Sequence, residues 1–96
     1  MWFVEEVLSS RGRVRILYLL TRWGALNISR LARDTNLSVE MTKRHLKKLS
    51  ELGIVKELKL GRFKLYQLEK EHPLSDRIIA LFSGVTYVPT KGGVQS

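Results

Sequence analysis

The chain contains no cysteine, and this one absence removes disulfides, thiolate-bound metal and cysteine nucleophiles together. No run approaches the ~18 continuous apolar residues of a bilayer span. The start, Met1 to Glu6, carries two acids where a signal peptide needs basic and then apolar residues. These features predict a cytoplasmic protein with no membrane partner. A glycine-rich phosphate loop is also missing: Gly92-Gly93 stands at the end of the sequence and the other glycines are isolated between elements. Histidine is limited to His45 and His72, and nothing in their spacing suggests a serine triad or a metal site. Neither catalysis, a cofactor nor a metal is therefore expected.

Acidic residues are scarce as well. Nine Asp plus Glu face 17 Lys plus Arg, so the 96 residues carry a net charge of +8. A field of this sign on so small a body attracts polyanions, but composition cannot choose between DNA, RNA, an anionic membrane and an acidic protein. The length suits one compact domain, and 44% hydrophobic residues supply a core. The expected division is a folded domain over residues 1–84 and a partly flexible tail over 85–96.

The first strong helical run is Arg13 to Trp23, with Ser9 and Ser10 as N-cap candidates and Gly24 as its stop. Arg11, Arg15 and Arg22 share a narrow strip, while Val14, Ile16, Leu17, Tyr18, Leu19, Leu20 and Trp23 occupy most of the remaining circumference. An arc this wide is buried on more than one side, which suggests a partner subunit. The terminal cluster Trp2, Phe3, Val4, Val7 and Leu8 is apolar enough to be covered by the same partner. A short helix follows over Ile28 to Thr35, then Asn36, which tolerates positive φ, and Ser38, which caps a third helix from Val39 to about Leu52. Two helices so closely spaced match a helix-turn-helix.

After Gly53 the apolar pattern alternates, which predicts strands over Ile54 to Leu60 and Phe63 to Leu68. A two-residue Gly61-Arg62 turn would oppose Lys59 and Lys64; a loop over Lys59 to Arg62 would oppose Glu57 and Lys64. The second register is expected, because like charges directly opposed are unfavourable. Pro73 suits the first turn of a last helix over Leu74 to Ser83, with Ile78, Ile79, Leu81 and Phe82.

The third helix gathers Thr42, His45, Leu46, Leu49 and Leu52 on one side and Lys43, Arg44, Lys47 and Lys48 on the other. A helix-turn-helix places its second helix in the major groove, so Val39, Glu40, Met41, Lys43 and Arg44 are expected to face base edges and Lys47 and Lys48 the backbone. His45, toward the inner side, reads as a structural histidine and His72 as a loop residue. Lys59, Arg62 and Lys64 concentrate charge at the hairpin tip, and no acid occurs between residues 58 and 68. Residues 43–64 hold eight basic side chains against two acidic ones, so most of the excess is local. A basic helix beside a basic ribbon points to duplex DNA, with Arg30 and Arg33 of the second helix as further backbone contacts.

The residues also carry a resemblance. Arg13-Val14-Arg15-Ile16-Leu17-Tyr18-Leu19-Leu20, Leu31-Ala32 with Leu37-Ser38, Arg44-His45-Leu46-Lys47-Lys48-Leu49 with Gly53-Ile54-Val55, and Gly61-Arg62 before Tyr66 and Leu68 together resemble the ArsR-type winged helix-turn-helix regulators over about residues 10 to 70. The resemblance implies a mainly helical fold with a small β-hairpin, and a dimer joined through its first and last helices. It also implies a DNA-binding transcriptional regulator, often a repressor, which would be nucleoid-associated in a prokaryote. Trp2, Phe3, Val7, Val14, Tyr18, Ile78, Ile79, Leu81 and Phe82 are the expected dimerisation residues. The cysteine motif common near the recognition helix of the family's metal sensors is absent. Two other readings use the same residues: a non-specific architectural DNA-binding protein, and a protein-docking module presenting Leu58, Leu60, Phe63 and Leu65 of the wing.

Overall fold

The computed structural model describes residues 2–83, with side chains from Glu5 onward. Its elements are α1 (Trp2–Val7), α2 (Arg11–Trp23), α3 (Ile28–Thr35), α4 (Val39–Glu51), β1 (Val55–Leu60), β2 (Phe63–Leu68) and α5 (Ser75–Ser83). The order is that of a winged helix-turn-helix, with α3 and α4 as the helix pair and β1–β2 as the wing. The tail expected over 85–96 lies outside the described residues.

Three side-chain caps set the helix starts. Ser10, Asn27 and Ser38 hold extended backbone, and their side chains accept from the N–H groups of Arg13, Arg30 and Met41. Each satisfies one of the donors that a helix N-terminus leaves unpaired. Because Ser10 is the cap, α2 begins at Arg11, two residues before the start that periodicity suggests. Asn36 turns the chain between α3 and α4 at φ 63°, and its N–H reaches the carbonyls of Ala32 and Arg33. The terminal apolar cluster is itself helical, as α1.

Helix α2 is the axis of the domain. It packs against α3, α4, α5 and β2, and Ile16, Leu17, Leu19 and Leu20 are buried among them. At these four residues the arc is covered by the chain's own elements, which corrects the inference of a partner there, while Val14 stays half-buried and Trp23 is 57% exposed. Val7 and Ile78 need the same correction. They are 1% and 5% exposed in the chain's own core and present almost no surface to a second subunit. On α5, Leu81 is exposed and Ile79 and Phe82 are half-buried, with the Phe82 ring edge-on to Tyr18 at 5.5 Å.

The hairpin register also differs from the expected one. Val55 pairs with Leu68, Glu57 with Tyr66, Lys59 with Lys64 and Leu60 with Phe63, leaving the two-residue turn Gly61-Arg62. Gly61 has φ 62°, the sign that a type II′ turn demands at its first central position. Charge failed to predict the register because both alignments put Glu57 and Lys64 on one face. In the observed one they are diagonal neighbours and still approach to 3.6 Å. The two-residue turn adds the Leu60–Phe63 pair and matches two core residues, Val55 and Leu68, at the base. Beyond the pattern's reach was a single antiparallel bridge: Leu26 and Tyr66 exchange backbone hydrogen bonds of 2.8 and 3.0 Å, tying the α2–α3 connection to the wing.

Candidate nucleic-acid interface

Helix α4 is anchored by Thr42, Leu46 and Leu49, all buried. The Thr42 hydroxyl donates to the Ser38 carbonyl at 2.8 Å, fixing the first turn. This rotation leaves Val39, Glu40, Met41, Lys43, Arg44 and Lys47 exposed along one side, with Lys48 half-buried. Val39 and Met41 are large apolar side chains left facing water at the N-terminal end of the helix. Arg44 donates from Nη1 to Met41 Sδ at 3.6 Å, which orders its stem along the helix.

Ion pairing sorts the predicted contacts into two groups. Arg30 Nε meets Asp34 Oδ2 at 2.6 Å and Arg33 Nε meets Asp34 Oδ1 at 3.7 Å, while the Arg30 guanidinium also lies over the Trp23 ring at 5.8 Å. Lys48 Nζ is 3.7 Å from Glu6 of α1, and Lys64 is paired with Glu57. By contrast, Lys43, Arg44, Lys47, Lys59 and Arg62 make no ion pair among the described residues, and all five are exposed. Their full charge faces solvent.

Two groups at this surface were missed by the sequence reading, Arg13 and Glu6. Arg13 joins Met41, Arg44, His45, Lys47, Lys48 and Glu51 around one shallow basin beside α4. Its Nη1 donates to the Glu6 carbonyl and to Ser9 Oγ, the latter at 2.9 Å, and lies 3.9 Å from the Glu6 carboxylate. Its Nε is buried with no partner among the described residues. The signal was available: Arg13 stands roughly 200° round the helix from Arg11 at 100° per residue, away from the strip shared by the other arginines. Glu6 therefore links α1 to both α2 and α4.

His45 is half-buried against Gly12 of α2. Burial, then the positive charges of Arg13 and Arg44, hold its pKa below the ordinary value of 6.5. Both effects favour the neutral ring. At the base of the wing, Tyr66 Oη donates to Glu57 at 3.5 Å, and burial followed by the Glu57 charge raises the phenol's pKa.

Of the predicted dimerisation residues, Val14, Tyr18, Ile79 and Phe82 line two adjoining open grooves that share Tyr18 and Phe82. The first groove also includes Leu8, Ser9, Ser10, Arg11 and Arg15; Leu81 is exposed on α5, and the side chains of Trp2 and Phe3 are outside those described. Among the described residues no group of His, Asp and Glu could hold a metal ion. No described helix is long and apolar enough to cross a membrane.

Comparison with known proteins agrees with this geometry. The family model described as "Bacterial regulatory protein, arsR family" matches residues 10–57, from the cap of α2 into β1. The chain is 36% identical over 69 residues to a homolog of the cadmium resistance transcriptional regulatory protein CadC from Staphylococcus aureus, a match covering 72% of this chain and 57% of that protein. The chain thus spans little more than half of that relative. Among solved structures it is similar to the transcriptional repressor PagR of Bacillus anthracis, at 21% identity and TM-score 0.71 over 83% of this chain and 87% of the other. It is also similar to a homodimeric winged helix-turn-helix DNA-binding domain of Mycobacterium bovis, at 24% identity and TM-score 0.70 over 86% and 74%. The family and these relatives are described as regulatory proteins. With half of its length matched by the family model, the chain belongs to the ArsR family of bacterial regulatory proteins.

Proposed function

We propose that this chain is a sequence-specific, double-stranded DNA-binding repressor that works as a homodimer in the cytoplasm, associated with the nucleoid. The observation that carries this reading is the set of five exposed, unpaired cations, Lys43, Arg44, Lys47, Lys59 and Arg62, on the second helix of a helix-turn-helix and on its wing. Val39, Glu40, Met41, Lys43 and Arg44 face base edges. Lys47, Lys59 and Arg62 meet phosphates, while Lys48, Lys64, Arg30 and Arg33 must first exchange a carboxylate for a phosphate. In the homodimer two α4 helices would stand about 34 Å apart, one turn of B-DNA, and read an inverted repeat. The homodimeric Mycobacterium bovis domain and the PagR repressor support assembly and repression by the same fold. Tyr18, Val14, Ile79, Leu81 and Phe82 are the residues left to the dimer contact, together with Trp2 and Phe3. With no cysteine in the chain, any control of binding operates here without a thiolate-bound metal.

Selection of bound fragments from a random duplex pool tests this directly. A recovered inverted repeat with half-sites one turn apart is the expected result. Equal retention of all sequences would leave the architectural reading instead, and retention of none would end the DNA assignment.

A further inference from the structure

The wing carries a feature that phosphate contact does not require. Side chains alternate across a ribbon, and the observed register puts Leu58, Leu60, Phe63 and Leu65 on one face, as the cross-strand pairs Leu58–Leu65 and Leu60–Phe63. The inner pair is half-buried, but Leu60 is 55% and Phe63 69% exposed. They are the last pair before the turn, so two large apolar side chains stand at the extreme end of the hairpin. Gly61 at the turn meets no other group within 4 Å of where a Cβ would be, so the tip is narrow and stands clear of the body. Lys59 and Lys64 occupy the other face and Arg62 the turn itself.

What covers this apolar tip is decided by its charged surroundings. Lys59 and Arg62 flank it unpaired and Lys64 is shared with Glu57 at 3.6 Å, no acid occurs between residues 58 and 68, and the adjoining cations of α4 have the same sign. The net charge around the tip is positive and attracts a polyanion. Proteins that bind the minor groove insert Phe or Leu side chains between base pairs, part-unstacking a step and bending the duplex.

We infer that Phe63, backed by Leu60, is a wedge that the wing drives into the minor groove to unstack a base step and bend the DNA. The inference rests on the DNA-binding reading above. Lys59, Arg62 and Lys64 hold the ribbon between the two phosphate rows, and the apolar pair leaves water for the stacked bases. Flexible pyrimidine–purine steps at the wing position are then favoured without any hydrogen bond to a base, because they unstack most readily.

The test uses the full chain and a duplex recovered by selection. That duplex carries a donor and an acceptor dye at its ends and 2-aminopurine at the step under the wing. The wild-type protein should shorten the end-to-end distance and raise the 2-aminopurine fluorescence. Phe63→Ala should bind about tenfold more weakly, the scale of one lost base-stacking contact, abolish both signals, and leave the salt slope unchanged. Leu60→Ala should do the same to a smaller degree, and Phe63→Trp should restore both signals. Arg62→Ala should show the opposite pattern, a salt slope shallower by about one with the fluorescence rise intact. The wedge is overturned if wild-type protein binds without unstacking, if Phe63→Ala bends the duplex like wild type, or if Phe63→Ala converts a dimer to a monomer in sedimentation. The last outcome would assign the tip to a second copy of the chain. The first outcome leaves DNA binding in place, whereas failure of the wild-type protein to bind any duplex removes both readings.

Discussion

The imidazole of His45 on α4 occupies the space that a side chain at residue 12 of α2 would need: a Cβ there would lie 2.6 Å from Nε2, 2.9 Å from Cδ2 and 3.3 Å from Leu37 Cδ1. Glycine inside a helix is ordinarily a weakness, worth about 0.5–1 kcal/mol relative to alanine. Here it permits α4 to approach α2 closely enough to seat the histidine. Gly12→Ala should therefore lower stability by about 1 kcal/mol despite its better helix propensity, because the ring is displaced against its neighbours. In a His45→Ala background the same change should stabilise by about 0.5–1 kcal/mol. Urea denaturation of the four proteins in the cycle measures both. The same sign in the two backgrounds would show that the ring is not what Gly12 accommodates.

His45 also predicts a pH dependence. Its folded pKa lies below 6.5 because burial and the charges of Arg13 and Arg44 oppose protonation. The unfolded chain thus binds the proton more readily than the folded one. The stabilising contribution is complete above pH 6.5 and is lost as the pH falls through the folded pKa. Melting temperature should decline from pH 7 to pH 5 in the wild type, and more gently in His45→Gln. Parallel pH profiles for the two proteins would assign the decline to other groups.

Much of this architecture was legible in the sequence because the cues were local. Ser38, Asn27 and Gly24 mark helix ends by their own chemistry, and the change from helical to alternating periodicity after Gly53 marks the wing. Three features depended on contacts between distant segments. The arc on α2 was wide because α3, α4, α5 and β2 surround it, and periodicity cannot tell a neighbour in the same chain from a partner. The wing register turned on how Val55 and Leu68 fit the core, and charge pairing was satisfied either way. The pairing of Lys48 with Glu6 joins residues 42 positions apart, so the wheel could place Lys48 on the outer face but could not show that its charge is shared.

That shared charge gives a third prediction. Glu6 holds Lys48 at 3.7 Å and Arg13 at 3.9 Å, and its carboxylate would face the phosphates that Lys48 approaches. Glu6→Gln removes the competing anion and keeps the side-chain volume. DNA affinity at low salt should rise by about two- to fivefold, and the salt slope should steepen by up to about one unit as Lys48 becomes free for a phosphate. The exposed Lys48 pair contributes little to stability, while the Arg13 side chain is only 15% exposed, so stability should fall by about 1–2 kcal/mol. Fluorescence anisotropy across a salt series reads both quantities, and an unchanged affinity and slope would place Lys48 off the DNA.

Arg15 supports the helix pair from behind. Its Nη1 donates to the Thr35 carbonyl at 3.0 Å, at the C-terminal end of α3, where helix carbonyls lack partners of their own and the dipole favours a cation. The Thr35 hydroxyl donates to the Leu31 carbonyl at 2.7 Å and leaves the Thr35 carbonyl for the arginine. Arg15→Met keeps most of the apolar stem and removes the charged donor, so it should destabilise by about 1.5–3 kcal/mol, the range for a hydrogen bond to a charged group. Lys in its place should recover part of this through charge alone, since an ammonium has no planar fork to match the geometry. Because Arg15 lies on α2 away from the free cations of α4 and the wing, the salt slope of DNA binding should stay unchanged in both variants. A shallower slope in Arg15→Met would make this residue a phosphate contact and not a brace.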